Sequence, residues 1–417
     1  MTAIAPDTEA TTWLVGGALE IGFTTTFDWV YDDKGTGAAA CGSFWQPNVS
    51  GMPGYWSLGS LGVNNGGNYN YNPSGDRAIV VVKDLTGTAL AAPTGYTQIW
   101  ADHGSGGNND GSVWRPIAPD GYIAMGLVVV GGYNQPSLDA VRCVSQSLVH
   151  RATPGASVWC DAGSGAHGDF GSWEVLPPAA APGTLSLAPG TFCGSGSYDE
   201  NTVRAEPTTL YSFAVALPEQ PEPAPPAYPA LTSNVNPGPF GAGAATVTSS
   251  LPWFAVNDPD YPALQSMVKS PTYRLERTDK WALDDAFWFN DESESITREL
   301  QVTVGVNGSS ATSFASETGI ELGFEYGFSK LVKGSVKLSQ KFTYTTSSSN
   351  GWSSETSKKT TYVVPPMTAI AMYVLNSTYS LYRQDGSQVN TDSAGYNVPA
   401  TIYVTQFPPA KPKVANE

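Results

Sequence analysis

Three segments in the first half of the chain repeat one pattern with invariant internal spacing. Tyr31-Asp32-Asp33-Lys34-Gly35-Thr36-Gly37, Trp100-Ala101-Asp102-His103-Gly104-Ser105-Gly106 and Trp159-Cys160-Asp161-Ala162-Gly163-Ser164-Gly165 each read aromatic-x-Asp-x-Gly-Ser/Thr-Gly. Each time a Trp stands 12 residues after the Asp (33 to 45, 102 to 114, 161 to 173), and a proline follows at Pro47, Pro116 or Pro177. A unit that cannot bury its own apolar face must bury it against its copies. The repeat therefore predicts a pseudo-threefold body over residues 1–216. Apolar patches at Ile79 to Val82 and Met125 to Val130 supply its core. A three-sheet β-prism is the expected architecture, ahead of a β-trefoil or a sandwich.

Two roles are open for the repeated residues. Gly lets the backbone turn sharply and Asp accepts hydrogen bonds from hydroxyls. Beside Trp, that is sugar-binding chemistry, which makes Asp33, Trp45, Asp102, Trp114, Asp161 and Trp173 candidate glycan-binding residues. Alternatively, each Asp closes a turn and each Trp packs the prism core, and triplication favours this second role. The segments Gly42-Ser43-Phe44-Trp45-Gln46-Pro47 and Gly111-Ser112-Val113-Trp114-Arg115-Pro116, with the Asp-x-Gly-Ser-Gly loops, resemble a family named after vacuolar protein sorting. That resemblance spans about residues 20 to 210 and implies a fold more than an activity.

Composition narrows the function classes. Gly 44, Pro 32 and Tyr 20 suit strands joined by tight turns. Charged residues are 14% of the chain, against about 25% in ordinary domains. The net charge of −16 argues against nucleic acid and against adsorption to anionic lipid. A surface receptor or glycan would have to bring such a chain to a membrane. No apolar run approaches the ~20 residues of a membrane helix, and the N-terminus shows no standard signal segment. Release from the cell would then follow another route, with an extracellular destination. Cys41, Cys143, Cys160 and Cys193 fit no zinc spacing. Disulfides and buried free thiols are both open to them.

Nothing in the sequence supports catalysis, a cofactor or a metal. His103, His150 and His167 form no zinc pair, and the Gly-x-Ser-x-Gly elbow is missing. Asp102 and Asp161 could pose as a glycosidase pair, but pseudo-symmetry would hold them apart. Asp258, Asp260, Asp284, Asp285, Asp291 and Glu292 fit no calcium loop and read as solvated turn residues.

The Pro-rich stretch 217–232 reads as an extended linker. It divides the prism-like part from a second domain at 233–407, followed by a loose tail at 408–417. The second domain holds a two-faced segment. Ile320, Leu322, Phe324, Tyr326 and Phe328 alternate with Gly and Glu, and Val336, Leu338 and Phe342 alternate with Ser, Lys and Thr. Successive strand residues face opposite sides, so two such strands make an apolar face and a polar face. Pairing residues whose numbers sum to 662 sets Glu321 against Lys341 and Glu325 against Lys337, and Ile320 against Phe342. Ser329 to Lys333 would then close the turn, with Leu331 and Val332 as an apolar tip. A strand of this length matches the ~9–11 residues that cross a bilayer, and apolar-out, polar-in alternation marks barrel strands. Glu321, Glu325, Lys337 and Lys341 would line the lumen. An open hairpin cannot hide its edges in lipid, so several chains would close the barrel as a homo-oligomer. A half-buried soluble sheet alternates in the same way.

The run from Phe342 to Trp352, and the run from Ser354 to Val363-Val364-Pro365-Pro366, resemble the aerolysin and epsilon-toxin/mosquitocidal-toxin superfamily. The resemblance covers about residues 270 to 407. It implies an elongated antiparallel domain in a pore-forming toxin, aimed at animal cells such as insect gut. Such a toxin binds a cell-surface receptor or glycan, oligomerises and refolds about Thr318 to Tyr344 into a transmembrane barrel. The competing expectation is a non-lytic lectin or surface adhesion protein.

Overall fold

The structure, a computed structural model, describes residues 13–178, 184–205, 208–216, 226–238, 246–261, 263–306, 313–314, 317–318, 320–325, 328–333, 356–389 and 394–409. It is all-β and antiparallel, with a pseudo-threefold, prism-like first half and a long-stranded second half.

After β1 (Trp13–Val15), the first half is a unit of six strands used three times. The first unit is β2 (Leu19–Thr24), β3 (Phe27–Asp32), β4 (Gly42–Pro47), β5 (Tyr55–Ser57), β6 (Leu61–Asn64) and β7 (Ile79–Asp84). The second is β8 (Leu90–Ala91), β9 (Gly95–Ala101), β10 (Gly111–Ile117), β11 (Tyr122–Ile123), β12 (Val128–Gly131) and β13 (Cys143–Ser145). The third is β14 (Val149–Arg151), β15 (Thr153–Cys160), β16 (Gly171–Leu176), β17 (Thr184–Leu187), β18 (Phe192–Ser195) and β19 (Tyr211–Ala216).

Each unit splits its strands between two sheets. One set of sheets is β3-β4-β6, β9-β10-β12 and β15-β16-β18. The other is β2-β7-β5, extended by β1, with β8-β13-β11 and β14-β19-β17. The prism thus has six sheets where the sequence pattern suggested three. Each set closes its own core. Tyr31, Phe44, Trp100, Val113, Trp159, Phe170 and Phe192 fill the first, and Leu19, Val80, Val82, Val144, Leu187 and Val215 fill the second.

The local geometry repeats as well. The hairpins of the first set share a bulge, between Trp29 and Tyr31, Gln98 and Trp100, and Ser157 and Trp159, and β15-β16 has a second irregularity between Pro154 and Ser157. The bulge turns the repeat's aromatic residue onto the axis. The first glycine of each loop has φ of +89°, +89° and +86° at Gly35, Gly104 and Gly163, a region closed to most side chains. The four cysteines are free thiols. Burial pushes Cys143 and Cys193 up to about 12, so neither forms a thiolate near neutral pH.

In the second half β20 (Thr246–Pro252), β21 (Thr272–Asn290), β22 (Ile296–Val306), β25 (Thr356–Val364), β26 (Thr368–Arg383) and β27 (Ala394–Phe407) form one sheet, ordered β20-β21-β26-β27-β22-β25. Between β22 and β25 a separate hairpin pairs β23 (Glu321–Glu325) with β24 (Phe328–Lys333). At ~3.3 Å per residue, the 16 residues of β26 span about 50 Å.

The end of the Pro-rich stretch lies on the sheet: Trp281 Nε1 donates to the Pro226 carbonyl at 3.3 Å, Tyr228 packs on Tyr403, and Leu231 is buried. The two halves also share a core. Trp253 and Phe254 each meet Phe23 with ring centres 5.0 Å apart, and Phe254 meets Trp13. Apolar surface left by the end strands of the first half is covered by the entry to the second.

Candidate functional site

The repeated Asp and Trp residues are structural. Trp100 and Trp159 sit edge to face on the axis with Tyr31 in the third place. Each indole donates to the next repeat's carboxylate, Trp100 Nε1 to Asp161 at 3.0 Å and Trp159 Nε1 to Asp33 at 2.7 Å. The other carboxylate oxygen caps its own loop, accepting from the amide of Gly42 for Asp33 and of Phe170 for Asp161. Burial raises the Asp33 carboxyl, and the Trp159 and Tyr69 bonds oppose it.

Three backbone bonds then close a ring. Asn108 N–H donates to Lys34, His167 N–H to His103 and Ala39 N–H to Ala162, each at 2.8 Å. Asp33, Asp102 and Asp161 are therefore buried. Trp45, Trp114 and Trp173 are buried too, each in its own outward cluster. No aromatic face at these positions is free to stack on a sugar, which corrects the glycan-binding assignment of these six residues. Their triplication comes from closing a symmetric fold.

The acidic turn at 258–260 also differs from expectation. Asp258 is buried and takes Arg383 through two bonds of 2.7 Å, with the Tyr273 hydroxyl at 2.9 Å. Asp260 reaches the same guanidinium at 2.6 Å. Burial alone would raise the Asp258 carboxyl; the Arg383 bonds override it and hold it below the usual carboxylate range.

Beside this ion pair lies the root of the two-faced segment. Asn257 N–H donates to the Thr318 carbonyl at 2.8 Å, and its side-chain amide to the Glu317 carbonyl. Thr318 Oγ1 donates to the Phe314 carbonyl and accepts from Ile320 N–H. Phe314, Thr318 and Ile320 are all buried, and Phe314 and Ile320 belong to the core shared by the two halves. Sequence periodicity found Ile320, but it could not join Asn257 and Asp258, from the loop after Trp253–Ala255, to Arg383 at the end of β26, because they are distant in sequence.

The hairpin register is corrected. Glu321 pairs with Lys333, Leu322 with Leu331, Gly323 with Lys330 and Glu325 with Phe328. Ser329 to Lys333 are thus part of the return strand, and Leu331 and Val332 are not a tip. An acid still faces a base at Glu321. Leu322, Phe324, Glu325 and Phe328 lie on these strands; Tyr326, Val336, Lys337, Leu338, Lys341 and Phe342 lie outside the described residues.

A family model described as vacuolar protein sorting-associated protein 62 matches residues 7–257. The match runs past the Pro-rich stretch to just beyond the Trp253–Val256 segment, which belongs to the shared core. No curated protein matches the chain. Among solved structures, GNIP1Aa from Chromobacterium piscinae is similar at 32% identity over 48% of this chain, with a TM-score of 0.39. The matched region spans 37% of that protein's length. Cry35Ab1 is similar at 12% identity over 95% of this chain and 91% of its own, with a TM-score of 0.38.

Proposed function

The chain belongs to the vacuolar protein sorting-associated protein 62 family, and from that premise we propose that it is a two-part, membrane-permeabilising toxin of the β-pore-forming kind. The prism-like half recognises a receptor or glycan on a target cell. The long-stranded half carries the insertion hairpin and, after oligomerisation, donates it to a shared barrel. The resemblance of residues 270 to 407 to aerolysin-type toxins supports this reading.

The observation that carries it is the root at Phe314, Thr318 and Ile320. The two-faced alternation runs on from Ile320, and among the described residues its start is fastened by two bonds from Asn257 and by the burial of Phe314 and Ile320. Departure of this segment would leave the sheet paired, because β22 and β25 pair with each other from Ile296↔Val364 to Val304↔Thr356. With apolar positions toward lipid and Gly, Glu and Lys toward water, such hairpins satisfy the bilayer only in a closed ring.

Dye release from vesicles made of target-cell lipid extract tests the reading, with extracts that retain glycolipids and anchored receptors. The protein is expected to release dye, and Phe324→Asp to bind the same vesicles without release. An Asn257→Cys/Thr318→Cys pair should block release when oxidised and restore it on reduction. Binding by the wild type without any release would leave the non-lytic lectin reading in its place.

A further inference from the structure

The turn from β25 into β26 runs Val363-Val364-Pro365-Pro366-Met367. Turns that face water are ordinarily built from Gly, Asn, Asp and Ser. Here Pro365, Pro366 and Met367 are consecutive and all exposed, and so is Val363 just before them. Val363 is 65% exposed and Met367 60%. Val364 alone is buried, in the cluster with Ile370, Met372 and Val374 that anchors the turn.

The backbone of this turn is prepared for a medium without water. Pro365 and Pro366 have no N–H to leave unpaired. The Val364 and Pro365 carbonyls accept from the side-chain amide of buried Asn290, at 3.0 and 2.9 Å. The Pro366 carbonyl accepts from Thr368 Oγ1 at 3.0 Å. A turn in water needs no such provision, whereas an unpaired backbone group in lipid is costly. Met367 has φ of +51° and is the one non-glycine residue with positive φ among the described residues. Glycine or asparagine would adopt that backbone more readily. The exposed methionine side chain gains no burial in return, so fold stability does not account for it. The turn also lies far from the shared core. Arg383, at the other end of β26, joins Asp258 beside the hairpin root, about 50 Å along the strand.

We propose that Val363, Pro365, Pro366 and Met367 form a lipid-contacting tip that enters the interfacial layer of a zwitterionic bilayer. Four side chains fall far short of the ~800 Å² per partner that a stable protein interface buries, which disfavours a second copy as the occupant. At the boundary of headgroups and acyl chains, even a small apolar surface is removed from water. The neighbouring turn from β21 to β22 exposes Asp291, Glu292 and Glu294, so anionic lipid is disfavoured. The tip is separate from the insertion hairpin and from the prism-like half, and it goes beyond the proposed function by giving the long sheet a membrane contact of its own.

Flotation of the full chain with phosphatidylcholine vesicles, free of glycolipid and of other proteins, tests the tip. Wild type should float with the vesicles, and replacing part of the lipid by phosphatidylserine should weaken the association. Met367→Asn and Pro366→Asp should each weaken it about tenfold. Met367→Asn should keep or raise the midpoint in urea, because asparagine accepts the left-handed backbone; loss of flotation is then not loss of folding. Val268→Asn, which replaces a residue 75% exposed elsewhere in the second half, should float as wild type. No flotation by the wild type, stronger flotation on phosphatidylserine, full flotation by either tip variant, or an equal loss in Val268→Asn overturns the tip. No leakage is read, so the tip stands or falls independently of the pore.

Discussion

A tyrosine where two tryptophans set the rule marks the one place the axis is unfinished. Trp100 and Trp159 each satisfy a carboxylate of the next repeat, but the Tyr31 hydroxyl and Asp102 Oδ1 are both buried without a hydrogen-bond partner. Unsatisfied buried polar atoms cost about 1–3 kcal/mol each. Gly111 lies against Tyr31 as Gly42 lies against Trp159, so the niche has the shape of the one that holds Trp159. Tyr31→Trp should therefore stabilise the protein by about 1 kcal/mol, read as a higher midpoint in urea; a lower midpoint would show that the niche rejects the indole. A second residue-scale expectation concerns Asp258. Its folded pKa is lowered, so its contribution is present above the unfolded value of about 3.9 and is lost as pH falls through the folded value. The wild type should lose stability below about pH 4. Asp258→Asn should be less stable at neutral pH and show a weaker acid loss between pH 4 and 2. Arg383→Met, which strands a buried carboxylate, should cost about 3–5 kcal/mol at pH 7.

At the scale of elements, the repeat is six strands rather than one loop and one sheet. The visible signature covers only the second and third strands of each unit and the turn between them. The other strands are short and share no motif: β8 is two residues and β5 three. Register alone reveals that β2, β8 and β14 do the same job. The hairpin shows the opposite case. Its alternation was legible, but alternation is satisfied by more than one register, and pairing Glu321 with Lys333 instead of Lys341 preserves an acid-base pair at Glu321. Charge pairing therefore underdetermined the register.

At the scale of the molecule, Trp253, Phe254, Phe314 and Ile320 join the two halves into one core with β1 and β2. That core packs the first half directly against Phe314 and Ile320, where the two-faced segment begins. Trp253→Ala should cost about 3–5 kcal/mol and split a single calorimetric transition into two. A single undivided transition in that variant would mean that the halves are held together elsewhere.

The amino-acid sequence by itself determined the all-β class, the pseudo-threefold order of the first half and the two-faced character of the segment after Ile320. These follow from local spacing, which period and turn chemistry fix before any long-range contact forms. Tertiary structure alone decided that the repeated Asp and Trp face inward, and that Asp258 meets Arg383 from 125 positions away. Burial depends on which surfaces meet, and three copies of one local pattern do not state which of their faces will look at the axis.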